Sequence, residues 1–267
     1  MRKKLMIAIM AVLILVFGFS AYNVGKILWD NYQVKKTYES LQTQYVTILP
    51  TQAPTKGEDP SAPVTPEVQP PKMAVDFEAL RQVNKEVVGW LYCEDTPINY
   101  PIVQSEDNDY YLRRLLDGTW NIAGTIFMDY RNAPDFSDWN SIIYGHNMNN
   151  DSMFGTFQDY KKQEYYEAHP VLYLLTPEQG YTIQLISGYT TSATEAKTYG
   201  FPDVVEGRDD LIENALQHST FEAEEQIGDE VRIITLSTCA YEYDDARYVL
   251  VGVLQPLNTA AEESRKP

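Results

Sequence analysis

The stretch Val231–Leu254, VRIITLSTCAYEYDDARYVLVGVL, holds two β-rich runs joined by a short acidic and aromatic segment. Cys239 closes the first run and Arg247 opens the second. Val231–Leu236 and Tyr248–Leu254 are apolar on both faces, the pattern of interior strands. Ser237, Thr238 and Cys239 therefore fall where a buried strand surfaces, a position suited to chemistry. Antiparallel pairing across a loop of about seven residues brings Cys239 and Arg247 to one rim. A thiolate at neutral pH needs a positive or hydrogen-bonding environment. An arginine supplies part of that field, or stabilises an oxyanion forming beside the sulfur.

The chain has 267 residues, 44% hydrophobic and 12% aromatic, enough for a packed core. With 21 basic and 38 acidic residues the net charge is −17. Such a balance excludes nucleic acid as a partner, because nothing neutralises a phosphate backbone.

Residues 5–22, LMIAIMAVLILVFGFSAY, are uncharged and follow Arg2, Lys3 and Lys4. Their length is near that of a helix crossing a bilayer. The basic start places the N-terminus in the cytoplasm and everything after Tyr22 outside. A cleaved signal peptide is the rival reading; Ala-x-Ala is absent, with Gly18–Ser20 only a fair substitute. From Val34 onward, Tyr38, Leu41, Tyr45 and Ile48 recur at steps of 4, 3, 4 and 3, a helical stripe suited to a short stalk. Pro50–Pro71 holds seven prolines without periodicity, an extended spacer. The expected partition is a cytoplasmic tip and transmembrane anchor over 1–25, a helical stalk over 26–49 and a Pro-rich linker over 50–72. A globular domain over 73–257 and a disordered tail over 258–267 follow.

Within the domain, Asp76 caps a short predicted helix, and strands are predicted at Val87–Tyr92, Ile98–Val103, Thr125–Met128, Ser141–Tyr144, Val171–Thr176 and Tyr181–Thr191. Short helices are expected at Asp109–Leu116, Asp151–Tyr160 and Gln163–Ala168. Arg208–His218 is the best helix, with Leu211, Ile212, Ala215 and Leu216 on its apolar face. Many short strands without regular βαβ alternation favour a mostly antiparallel, closed or half-closed barrel.

Two cysteines on an outward-facing chain raise a Cys93–Cys239 disulfide as one possibility. The alternative is that Cys93, in an alternating strand, is a small apolar filler, with Cys239 at a polar strand end. A cysteine nucleophile needs an acid/base partner. His169 precedes a strand, and His218 ends a helix where it suits the dipole. His146 instead leaves a strand through Gly145 into a polar loop, which places its ring at a rim. No Cys or His pair has metal-ligand spacing, and no cofactor is expected.

The segments Ser141-Ile142-Ile143-Tyr144-Gly145-His146-Asn147-Met148, Thr235-Leu236-Ser237-Thr238-Cys239 and Asp245-Ala246-Arg247 resemble the signatures of sortases, specifically class B. Tyr100–Gln104, Asn108–Leu112 and Gly124–Arg131 resemble the same class, and the match runs in order through 76–256. The resemblance implies an eight-stranded β-barrel with short inserted helices, carried behind a transmembrane helix and stalk. It implies a cysteine transpeptidase with Cys239 as nucleophile, His146 as general acid/base and Arg247 as the oxyanion or substrate-orienting residue. Ser237, Tyr144, Asn108 and Leu112 are its expected substrate-groove residues. The implied partners are secreted proteins bearing a C-terminal sorting signal, cleaved after Thr, and a peptidoglycan amine that resolves the thioacyl enzyme. A pilin lysine in place of that amine, or an idle tethered peptide-binding module, are the alternatives; an L,D-transpeptidase is disfavoured because its His-Gly-Cys cluster is missing. Ala240 stands where class B enzymes often carry an acidic residue, which leaves open whether Glu242, Asp244 or Asp245 serves the site.

Overall fold

A computed structural model describes residues 2–48, 73–194, 207–224, 227–228 and 231–257. The expected linker 50–72 and tail 258–267 lie outside the described residues. The chain divides into two units, 1–41 and 42–267. The first belongs to one helix, α1 (Arg2–Tyr45), about 66 Å long at 1.5 Å per residue. Its apolar N-terminal stretch is fully exposed and long enough to cross a membrane.

In the second unit, the helical stripe does not run on to Ile48. Helix α1 stops at Tyr45, and β1 (Val46–Ile48) pairs antiparallel with β2 (Met73–Val75). The Asp76 amide donates to the Tyr45 carbonyl. Val46 and Ile48 are β-branched and trade helix propensity for strand pairing. Asp76 then caps α2 (Phe77–Val83), its carboxylate accepting from the Ala79 amide at 2.9 Å.

Eight further strands close a barrel: β3 (Val87–Tyr92), β4 (Asn99–Val103), β5 (Phe127–Met128), β6 (Asn140–Tyr144), β7 (Val171–Leu175), β8 (Gly180–Ser192), β9 (Arg232–Cys239) and β10 (Ala246–Pro256). The order around it is β10-β8-β7-β3-β4-β5-β6-β9. Pairing is antiparallel except at β4–β5 and β6–β9. Closure leaves no exposed edge in this sheet. The strand expected over Thr125–Met128 shrinks to two residues, because the Thr125 hydroxyl is donated to the Arg114 carbonyl and its amide to Tyr111. The helix expected over Asp151–Tyr160 is a 3₁₀ segment, Gly155–Lys161, and the one expected over Gln163–Ala168 forms as α3 (Gln163–Ala168).

Helix α4 (Arg208–His218) explains why β9 and β10 read as apolar on both faces. Leu211 and Ala215 pack over Ile233, Val249, Val251 and Val253, while Ile234, Leu236 and Leu250 are also fully buried. One face of each strand is covered by α4 and the other fills the barrel. At the end of the sheet this cover stops, and Cys239 emerges half-buried.

Candidate active site

The site begins with ladder register. Strand β9 runs through Cys239, and β10 pairs with it so that Arg247 lies directly opposite Cys239 and Val249 opposite Ser237. Opposed residues of an antiparallel pair project to the same face, and Ser237 shares it at a spacing of two. The short connection closes because Asp245 takes a left-handed conformation (φ 60°), which aspartate tolerates. The Ala240 amide then donates to the Ala246 carbonyl at 2.9 Å.

On the other flank, β6 lies parallel to β9 with Tyr144 beside Ser237. His146 follows two residues later. The intervening Gly145 is required by packing: a Cβ there would sit 2.6 Å from the Phe154 ring. Three bonds stitch this corner to β9. Gly145 N–H donates to the Ser237 carbonyl, the Thr238 hydroxyl donates to the Gly145 carbonyl, and the Asn147 amide donates to the Cys239 carbonyl at 2.9 Å. The YGHN run is thus a clamp that fixes His146 relative to the thiol-bearing strand.

A groove of about 200 Å³ results. All seven site residues expected from the sequence line it: Asn108, Leu112, Tyr144, His146, Ser237, Cys239 and Arg247. Among the lining residues that the sequence reading missed are Thr125 and Phe127. Both lie in the Gly124–Arg131 stretch, so position along that motif was the available signal. Cys93 is free, buried and away from Cys239, so the disulfide reading is not realised. Burial pushes the Cys93 thiol up to about 11. His169 and His218 each turn Nδ1 toward a backbone carbonyl four residues earlier, that of Tyr165 and Asn214 respectively.

The His146 ring faces the Leu112 carbonyl, 2.8 Å from Nε2. A carbonyl only accepts, so Nε2 carries the proton of the neutral ring and Nδ1 the lone pair. The Arg113 guanidinium, 3.3 Å from the same nitrogen, therefore acts as a charge rather than as a hydrogen-bond donor. Burial, and then the cations Arg113 and Arg247, hold the imidazole below its ordinary value despite the Leu112 carbonyl. The ring is neutral at pH 7. Replacing Arg113 with Gln removes one of these cations, so the His146 titration midpoint rises toward 6.5. NMR titration of the imidazole carbon-bound protons checks this, and an unmoved or lowered midpoint would refute it.

Glu242, one candidate for an acidic partner, pairs instead with Lys161. Among the described residues the Arg247 guanidinium has no carboxylate partner. Its Nη1 is anchored on the Ala246 carbonyl at 2.9 Å, and the group lines the groove.

A closed barrel whose groove brings together a thiol, a neutral imidazole and a guanidinium without a carboxylate partner has the form of a cysteine acyl-transfer enzyme. The family model for the sortase domain matches residues 91–255. Sortase B of Listeria monocytogenes is 34% identical over 242 residues, covering 90% of this chain and 92% of that protein. A Staphylococcus aureus sortase B–substrate complex superposes with a TM-score of 0.63 at 29% identity, covering 68% of this chain and 85% of that one. A sortase B complexed with triglycine superposes with a TM-score of 0.62 at 31% identity, covering 68% and 86%. The chain belongs to the sortase family of cysteine transpeptidases, in its class B.

Proposed function

We propose that this enzyme is held in the membrane by residues 5–22 with its barrel outside the cell, and that it joins secreted proteins to a cell-wall amine. The observation that carries the proposal is the register pair Cys239–Arg247 sharing one groove with His146. The substrate-bound and triglycine-bound relatives support a peptide acyl donor and an amine acceptor.

The neutral His146 imidazole takes the Cys239 thiol proton, and the thiolate attacks the carbonyl of a Thr in the sorting motif. The negative charge passes to the carbonyl oxygen, where Arg247 stabilises it. Collapse breaks the Thr–Xaa amide, and the departing nitrogen takes the proton from His146. The cations that depress His146 make its imidazolium a stronger acid, which favours this step. Cys239 is left as a thioester of the Thr carbonyl. An incoming amine then attacks that thioester, loses its proton to His146 and expels the thiolate. Asn108, Leu112, Tyr144 and Ser237 hold the peptide along the groove.

The test uses the full chain in detergent, a pool of internally quenched pentapeptides sharing one Thr–Xaa bond, and triglycine as amine. Cleavage at the Thr–Xaa bond with mass-verified Thr–triglycine ligation is expected. Absence of cleavage across the pool, or hydrolysis that triglycine never diverts, would overturn the proposal.

A further inference from the structure

Beneath the groove lies a carboxylate that takes no part in the acyl transfer. Asp129 follows β5 and is fully buried. Its amide donates to the Ile142 carbonyl at 2.9 Å. Its Oδ1 accepts from the Arg131 amide at 3.0 Å and from Arg131 Nε at 2.8 Å. Its Oδ2 accepts from Arg131 Nη2 at 2.8 Å, Asn108 Nδ2 at 2.9 Å and the Tyr144 hydroxyl at 3.0 Å. Burial by itself would push the carboxyl up; the bonds from Arg131, Asn108 and Tyr144 outweigh it and hold the group below the usual carboxylate range.

Arg131 alone would neutralise this charge. The other two donors come from distant segments, and both are groove residues. The consequence is sharpest at Asn108. Its Oδ1 accepts from the Tyr130 amide at 3.1 Å while its Nδ2 donates to Asp129. An amide flip would set Oδ1 against a carboxylate oxygen and Nδ2 against an N–H, so one orientation is enforced. The second Nδ2 hydrogen is thereby held as a donor, and the Tyr144 hydroxyl, giving its proton to Asp129, faces its surroundings as an acceptor.

We propose that Asp129, neutralised by Arg131, is a positioning residue that fixes Asn108 as a hydrogen-bond donor and Tyr144 as an acceptor, so that this end of the groove reads a carbonyl and an N–H of the acyl-donor peptide. The inference rests on the reading of Asn108 and Tyr144 as peptide-binding residues. A buried, fully bonded carboxylate is a rigid support, and substrate contacts set by such a support lose less entropy on binding.

The test uses the full chain, triglycine and one internally quenched Thr–Xaa pentapeptide that the wild type cleaves. Asp129→Asn is expected to raise KM about tenfold with kcat within about twofold. Alkylation of Cys239 by iodoacetamide is expected to keep its wild-type rate. Because Asp129 acts through Asn108 and Tyr144, adding Asp129→Asn to the double variant Asn108→Ala/Tyr144→Phe should raise KM no more than about twofold further. Additive effects in this cycle, or an unchanged KM in Asp129→Asn when Asn108→Ala raises it, overturn the positioning role alone. An unchanged KM in Asn108→Ala overturns the groove reading and the inference with it. The wild type supplies a measurement that needs no variant to fold. Its Asn108 side-chain amide should show heteronuclear NOE values like those of the core backbone, and a freely reorienting amide overturns the proposal.

Discussion

Cys239→Ala should lower Thr–Xaa cleavage of the peptide pool by at least about 10³-fold, because the acyl-enzyme cannot form without its nucleophile. The fold should survive. Cys239 is only half-buried at the end of β9, and the bonds of its backbone to Asn147 and of its register partner belong to atoms that alanine retains. A change in melting temperature of no more than a few degrees is expected. Cys93 cannot substitute. It is 1% exposed, and a thiol pushed up to about 11 is not a thiolate at pH 7. Intact-mass measurement after brief iodoacetamide treatment should therefore show one adduct on the native wild type and none on Cys239→Ala. Cys239→Ser should be nearly as inactive, since a neutral imidazole is a weak base toward a hydroxyl. Cleavage persisting in Cys239→Ala, or an adduct remaining on it, would remove Cys239 from the nucleophile's role.

The meeting of Cys239 and Arg247 at this rim was legible in the sequence because it is written in strand periodicity. Cys239 and Arg247 sit at the two ends of apolar runs, and a ladder between those runs leaves little choice but to oppose them. His146 was legible because Gly145 precedes it at a strand end; the close approach of Phe154 now gives that glycine its reason. The apolar faces of β9 and β10 announced double burial, and α4 supplies one of the two covers. Less legible was anything set by contacts between distant segments. The spacing of apolar residues carried the helical stripe through Ile48, whereas pairing with Met73–Val75 ends it at Tyr45. Arg113 and Asp129 stand in ordinary local contexts, and their relation to His146, Asn108 and Tyr144 exists only once the barrel closes. Glu242, attractive from its nearness to Cys239 along the chain, turns to Lys161 instead.

Arg247→Gln should lower kcat by about 10²–10³-fold, the range found when one oxyanion donor is removed from an acyl-transfer site. The structure offers two ways for this guanidinium to act, and they separate with pH. As an oxyanion donor, Arg247 stabilises charge that exists only during reaction, so the loss falls on kcat and persists at every pH. As a neighbouring cation, it helps to hold His146 neutral. Removing it raises the imidazole's pKa, so the protonated and inactive fraction extends to higher pH in the variant. That second effect fades above the new midpoint, where His146 is neutral in both proteins. The expected result is a deficit in kcat on the alkaline side of the limb that stays near its full size, with an acid limb displaced toward neutrality. Arg247→Lys restores the charge and should return the limb most of the way. It should recover at most about tenfold of the rate, because an ammonium on a flexible stem lacks the planar fork that the Ala246 carbonyl now anchors. A deficit that vanishes at high pH would reduce Arg247 to a modulator of His146. A rise in KM with kcat intact would make it a residue that holds the peptide, and full rescue by lysine would show that charge alone suffices.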